Sequence, residues 1–397
     1  MLSTFLTAIA LLYGALVALP ICVLFIECMA AILWRGKESE DAVVAGRIVV
    51  LIPAHNEADL LDATLDTVLP QLREGDRAMV VAHNCSDSTT AVAKARGVEV
   101  IVAEDDGSGG KPDALKAGLR ALDSDPPEVV VVIDADCSAD PNSIQLLAQS
   151  AAANNAPAMS VYLFATTAGG SGRQSISSLA LLLKNHVRPL GLHHLGLPCL
   201  LNGSGSAYPF RQLRDVPHGE GSIAEDYQLS IDLLERGYLT RFVPAARVNS
   251  RLPTHEKAAL GQRRRWEHGH LYLVFRTAPG MILAGLRKGS IARVALGLEL
   301  LIPPLAFLVL AWMLGAVLSL LAWLIGGGVA WANSAVLVST ASGSLLFLSV
   351  IGSFLRFLGL SRTLLALISI PGYILWKIPL YLGFPAKREK RWTKTER

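Results

Sequence analysis

The chain has 397 residues and carries 36 Lys and Arg against 33 Asp and Glu, a net charge of +3 that gives no footing for nucleic-acid binding. With 52% hydrophobic and only 17% charged residues, it departs from the composition of soluble domains and points to membrane segments. Its five cysteines are scattered without a CxxC pair, which suggests neither a disulfide framework nor a zinc site and fits a reducing compartment.

Residues 2 to 34 are almost entirely apolar, with Glu27 the lone carboxylate. A bilayer span needs about 20 such residues. A basic start and a small-residue cleavage site are both missing, so the segment reads as an anchor rather than a signal peptide.

The middle of the chain alternates strand and helix patterns. RIVVLIP (47–53) reads as a strand, followed by a helix whose face carries Leu60, Leu61, Thr64, Leu65, Val68 and Leu69. AMVVA (78–82) is a second strand, with Ser86 or Asp87 capping a helix that runs to Gly97. VEVIVA (98–103) is a third; a glycine-rich loop, a helix over 113–122 and the valine strand 129–133 follow. Such alternation with short connections predicts an α/β fold with a parallel sheet, whose ligands bind beyond the carboxyl ends of the strands. The polar clusters AHNE, AHNCSD, GSGGK and DADCSAD all fall at such ends.

After residue 293 come three more apolar runs, 294–325, 329–355 and 363–383, separated by Gly326–Gly328 and by Arg356 with Arg362. Arg35 and Lys37 on one side and Arg287, Lys288 and Arg293 on the other put residues 35–293 in the cytoplasm by the positive-inside rule. The basic tail KREKRWTKTER belongs inside too, which three spans would not allow. Pro371, Lys377 and Pro379 therefore make 363–383 an interfacial or re-entrant segment. The expected organisation is an anchor (1–34), a cytoplasmic α/β domain (44–275), an interfacial linker (276–293), membrane or interfacial helices (294–385) and a cytoplasmic tail (386–397).

Each cluster has a bland reading beside a chemical one. Asp140 before Pro141 reads as a helix cap. Asp134 and Asp136, two apart on extended backbone, face one side and repel unless a cation such as Mg²⁺ or Mn²⁺ neutralises them; the alternative is a solvated acidic turn. GSGGK fails as a P-loop, because Asp105 and Pro112 stand where Gly and Ser or Thr are required; Lys111 is left to meet a phosphate, a carboxylate or solvent. Glu225 and Asp226 open a helical pattern over 223–238, where acids suit the helix dipole and where Asp226 could equally serve as a general base. In GQRRRWEHGH (261–270), Gln262, Arg265 and Trp266 share one helical face while Arg263 and Arg264 point elsewhere. That helix is either a basic membrane-surface helix or a place where Arg265 meets phosphate and Trp266 a sugar ring. The histidines form no metal set, and no GxSxG elbow occurs.

In this order the clusters resemble the membrane-bound family 2 glycosyltransferases, the group of the cellulose, chitin and hyaluronan synthases and ceramide glucosyltransferase. The matching residues are Pro53-Ala54-His55-Asn56-Glu57, the DxD of Asp134 and Asp136, the Glu225-Asp226 pair, and the QxxRW of Gln262, Arg265 and Trp266. The resemblance implies a GT-A fold, a nucleotide-sugar donor (UDP-linked) and a divalent metal, Mg²⁺ or Mn²⁺, on Asp134 and Asp136. It implies Asp226 as the base that activates the acceptor hydroxyl, with inversion at the anomeric carbon, and Glu225, Gln262, Arg265 and Trp266 around the leaving diphosphate and the acceptor. Pro53, Ala54, Asn56, Glu57, Asp87, Lys111 and Asp134 fall to the donor. So does His83, although it stands where members usually carry an aspartate near the end of the second strand. NGSGSAYPF (202–210) resembles the segment near the acceptor. The acceptor expected is lipid-linked or a saccharide, reached from a bacterial inner membrane. A processive synthase that extrudes its polymer is the rival within the class, and a non-catalytic membrane scaffold the rival outside it.

Overall fold

The computed structural model describes residues 2–36, 46–104, 110–165, 172–218, 222, 224–252, 256–326 and 330–384. Lys37, the glycine-rich stretch 105–109, Ile223, Gly327, Gly328 and the basic tail lie outside the described residues. The described residues form two compact units, an α/β unit within 35–170 and 198–269, and a helical unit within 1–34, 171–197 and 270–384. Residues 171–197, read in sequence as part of the cytoplasmic domain, thus group with the helices.

In the α/β unit the four expected strands form as β1 (Ile48–Ala54), β2 (Arg77–His83), β3 (Glu99–Ala103) and β4 (Val129–Val132). They pair in parallel in the order β3-β2-β1-β4. β-Branched runs suit strands covered on both faces, and Val129–Val132 are all buried. The covering helices are α2 (Ala58–Val68), α3 (Thr89–Ala95) and α4 (Lys111–Ala121). Leu61, Thr64, Leu65 and Val68 turn inward from α2, as their spacing required.

Beyond β4 the sheet is no longer the parallel one expected. It continues through β5 (Ser138–Ala139), β6 (Ala158–Ala165), β7 (Ser206–Pro209) and β8 (Arg241–Arg251) in the order β4-β7-β6-β8-β5. β7 runs antiparallel to both β4 and β6. The two-residue β5 pairs with β8 through Ser138 and Asn249. Between these strands lie α5 (Ser143–Asn154), α8 (Phe210–Arg214) and α9 (Glu225–Glu235), and α10 (Glu256–Arg276) follows β8. Asp140 does not cap α5: Asn142 takes the N-cap position, and the Asp140 carboxylate accepts a hydrogen bond from Asn249 Nδ2 (2.7 Å), tying the turn to β8.

The helical unit comprises α1 (Leu2–Leu33), α6 (Gly172–Leu182), α7 (Arg188–His194), α11 (Ala278–Lys288), α12 (Ile291–Leu301), α13 (Leu305–Gly326), α14 (Ala330–Leu358) and α15 (Leu360–Leu382). Among the described residues four helices, Ser3–Leu33, Leu305–Gly326, Ala330–Leu358 and Leu360–Leu382, are long and apolar enough to cross a membrane. The apolar run 294–325 is two helices, because Pro303 and Pro304 withhold the backbone donors that would join α12 to α13. Residues 363–383, expected to be interfacial or re-entrant, lie in one continuous helix, α15, which carries Pro371 and Pro379 inside it and so does not re-enter. Glu27 is buried in an ion pair with Arg188 (Nε–Oε2 2.8 Å), whose Nη2 also donates to the Glu299 carbonyl (2.8 Å). An acid within an apolar span needs such a partner.

Candidate active site

The cluster at the end of β4 is held by loops on three sides. β4 stops at Val132, so Asp134 and Asp136 sit in a turn closed by Cys137 N donating to Asp134 O (3.0 Å), not on the extended backbone expected. The turn is pinned where Ser204 Oγ accepts from Asp134 N (2.9 Å) and where Ser250 Oγ donates to Asp136 Oδ2 (3.4 Å). Ligand atoms of Asp134, Asp136 and Cys137 all lie within 4.8 Å of one another.

Lys111, at the start of α4, reaches into this group. Its Nζ lies 2.7 Å from Asp134 Oδ1 and 4.0 Å from Asp226 Oδ1, and it also donates to the Gly203 carbonyl. Asp226 and Glu225 occupy the first turn of α9. The side chain of Asp226 is 33% exposed against 25% for Asp134, so Asp226 is the more open of the two acids. Lys111, Gly203, Glu225 and Asp226 share the lining of a cavity of about 20 Å³, room for roughly one water. A larger cavity of about 570 Å³ between α13 and α14 carries no ionisable side chain and offers no such chemistry.

The loop 202–206 explains the close approach. Gly203 (φ +67°) and Gly205 (φ +76°) adopt left-handed backbone that L side chains rarely take. A Cβ on Gly203 would stand 3.3 Å from the Tyr162 ring and 3.5 Å from Asp226 Oδ2, and one on Gly205 would lie 2.7 Å from Val248 Cγ2. Gly205 N donates to Val132 O (3.1 Å), which brings the loop back across the end of β4.

Charges in the cleft act on one another. Burial, helped by the neighbouring Asp226 and opposed by Arg265, raises Glu225 to about 7. Burial pulls the Arg265 guanidinium below its usual value despite the attraction of Glu225 and Asp226. Burial alone would lower Lys111, but Asp134 and Asp226 outweigh it and the net shift is upward. Burial, with Asp134 nearby, pushes the Cys137 thiol up to about 12. Beside it, the carboxylates of Asp134 and Asp136 offer oxygen donors. Such an oxygen set fits a hard cation of the Mg²⁺ or Mn²⁺ kind rather than zinc.

On α10, Gln262 is buried and Arg265 and Trp266 are half-buried. The Trp266 ring meets Phe164 of β6 edge-on, with centroids 5.8 Å apart. Arg263, expected to point away from the Gln262 face, is buried as well.

The expected donor residues form a neighbouring group at the ends of β1 and β2. Pro53 and Ala54 end β1, and His83, buried, ends β2. Asn56 (φ +55°) accepts through Oδ1 from the backbone of Ser86 (2.7 Å) and Asp87 (3.3 Å). Asp87 accepts from Ala58 N (3.1 Å) and Thr89 N (3.0 Å), fastening the starts of α2 and α3. Glu57 N donates to Thr89 Oγ1 (2.9 Å). Because β2, β1 and β4 are adjacent and parallel, this group and the Asp134 group line one edge of the sheet. Sequence reasoning missed Tyr162, Cys137 and Ser250, whereas Ser204 lies in the NGSGSAYPF segment (202–210) that it had placed near the acceptor.

The family model described as "Glycosyltransferase like family 2" matches residues 45–269, more than half of the chain. Probable glycosyltransferase YdaM of Bacillus subtilis (strain 168) is 23% identical over 270 residues, covering 61% of this chain and 59% of that protein. Uncharacterized glycosyltransferase Mb0553 of Mycobacterium bovis is 36% identical over 100 residues, 25% of this chain and 41% of its own length. The chain thus spans about half the length of these curated relatives. Among solved structures, the mannosyltransferase PcManGT from Pyrobaculum calidifontis, in complex with GDP-Man and Mn²⁺, superposes with a TM-score of 0.54 at 16% identity, covering 94% of this chain and 99% of that one. At that identity the likeness concerns the fold, which is GT-A. The chain belongs to the family 2 glycosyltransferases.

Proposed function

We propose that the chain is an inverting, metal-dependent glycosyltransferase of the membrane. It moves a hexose from a nucleoside-diphosphate sugar to a lipid-linked or saccharide acceptor at the cytoplasmic face. The observation that carries the reading is the convergence of Asp134 and Asp226 on the ammonium of Lys111, at 2.7 and 4.0 Å. Two acids from distant parts of the chain share one cation, where a donor diphosphate and an acceptor hydroxyl have to meet.

Asp134 and Asp136 would hold the divalent ion, which when bound offsets the charge that builds on the leaving diphosphate. Lys111 and Arg265 supply fixed positive charge for the same oxygens, and such preorganised charge acts most strongly in a partly dehydrated cleft. Asp226 accepts the proton of the acceptor hydroxyl as its oxygen bonds to the anomeric carbon. The bond from that carbon to the diphosphate breaks on the opposite side, so configuration inverts. Asn56, Glu57, His83 and Asp87, at the ends of β1 and β2, hold the nucleoside. PcManGT, which shares the fold, is described with GDP-Man and Mn²⁺, and this supports a nucleotide-sugar donor and a divalent ion here.

The test is Asp226→Asn in membranes supplied with a panel of labelled nucleotide sugars. Loss of a general base costs roughly 10²- to 10⁴-fold in rate, with thermal unfolding unchanged. Turnover within a few fold of the unaltered chain would refute the assignment.

A further inference from the structure

A third cavity, unrelated to the transferase chemistry, lies wholly within the helical unit. It measures about 440 Å³, within the range of small-molecule sites at roughly 300–1,000 Å³. One wall is α1, through Val23, Ile26 and Glu27; another is Leu192, Leu195 and Leu197 at and after α7; the third is the hairpin of α11 and α12. The lining is aliphatic. Its one ionisable group, Glu27, is turned onto Arg188 and so presents no free charge to the cavity.

The hairpin wall is preorganised. Gly289 ends α11 in left-handed backbone (φ +63°), and Ser290 caps α12 by accepting from Arg293 N (3.3 Å). Gly285 lets the helices close: a Cβ there would lie 2.7 Å from Val294 Cγ2. The same turn places opposite chemistries side by side. Leu286 and Ile291 line the cavity while 65% and 74% exposed, and Arg287 and Lys288 between them are exposed too. Arg293 follows one residue beyond Ala292. Exposed aliphatic side chains beside exposed cations are what an interfacial helix turns to a bilayer surface. The cavity is also walled by α1, a helix apolar enough to cross a membrane.

We infer that this cavity is a binding site for an anionic phospholipid. One acyl chain lies along Ile26, Leu195, Leu286 and Leu298, and the headgroup phosphate sits on Arg287, Lys288 and Arg293. An aliphatic trough alone would accept any lipid tail. The cationic turn at its edge selects a headgroup with net negative charge over a zwitterionic one.

Native mass spectrometry of the full chain in detergent tests this. The probes are phosphatidylglycerol and phosphatidylcholine with identical acyl chains, with glycerol phosphate as the chainless control. The expected result is phosphatidylglycerol retained at least tenfold better than phosphatidylcholine, and glycerol phosphate not retained. Arg287→Gln with Lys288→Gln lowers phosphatidylglycerol to the phosphatidylcholine level, and Ile291→Trp, which fills the mouth, lowers both lipids. Equal retention of the two lipids by the unaltered chain overturns the site, as does retention of glycerol phosphate or indifference to both variants. The headgroup comparison needs no variant, so it decides the matter even if one fails to fold. Because the readout is binding, it is independent of whether the chain transfers sugar.

Discussion

The ammonium of Lys111 lies 2.7 Å from Asp134 and 4.0 Å from Asp226, joining the turn after β4 to the first turn of α9. On the proposed reading Lys111 shares the Asp134 carboxylate with the divalent cation and competes with it when no diphosphate is bound. Replacing it by Met therefore has two opposite effects. Mn²⁺ binding without nucleotide, followed by electron paramagnetic resonance, should tighten because a competing cation is gone. Sugar transfer should fall by roughly 100-fold, the cost typical of removing one preorganised charge from a leaving group. An unchanged transfer rate would remove Lys111 from the site.

Gly203 and Gly205 should separate stability from activity. Gly205→Ala adds a Cβ 2.7 Å from Val248 Cγ2 at φ +76°, and about 2–4 kcal/mol of stability should be lost. Gly203→Ala, at φ +67°, meets the Tyr162 ring at 3.3 Å, close enough that the ring must shift by a few tenths of an ångström, and Asp226 Oδ2 at 3.5 Å, an ordinary contact. It should cost about 1–2 kcal/mol from backbone strain and slow transfer disproportionately by displacing Asp226. Thermal unfolding set against turnover distinguishes the two cases.

Glu225 gives stability a pH dependence. Its folded pKa is raised to about 7 by burial and Asp226, from an ordinary value of 4.5. Between those values the folded chain holds a proton that the unfolded chain has released. Stability therefore falls as pH rises from about 4.5 to 7 and is flat above. Glu225→Gln should flatten this slope. Since the residue is partly exposed, the change should be on the order of 1 kcal/mol. Denaturant titrations at pH 5 and pH 8 measure it.

Asp76 is the opposite case. Its side chain is 1% exposed and pairs with Arg73 Nε at 2.8 Å, while Ile48 N (3.1 Å) and Arg73 N (3.0 Å) donate to it. Burial alone would raise its pKa, but these hydrogen bonds outweigh it and the net shift is downward from 3.8. Its contribution is present above about pH 4 and is lost as pH falls through the lowered value. Asp76→Ala strands the start of β1 and should cost about 3 kcal/mol, read by chemical unfolding at pH 7.

The parallel half of the sheet and its helices were legible in the chain because each element is specified locally. Valine and isoleucine runs read as covered strands, and Leu61, Leu65 and Val68 recur at a helix's period. The same locality made Asp134, Asp226 and the Gln262–Trp266 face identifiable as candidates. Likewise the apolar runs announced three of the helices of membrane length, since hydropathy sums along the chain without regard to neighbours, whereas Pro371, Lys377 and Pro379 argued against the fourth, Leu360–Leu382.

What sequence left open is what depends on residues far apart meeting. β5, β6, β7 and β8 are short or carry polar residues, and they become strands only by pairing with one another and with β4; β7 takes its place by reversing against β4. Likewise, Asp140 looked like a cap from its neighbour Pro141, until Asn249 of β8 claimed its carboxylate. Lys111 carried no decisive signal of its own, because its role comes from Asp134 and Asp226, 23 and 115 positions further on. Local propensity writes the elements, whereas the charges a side chain faces are fixed only once the sheet has closed around it.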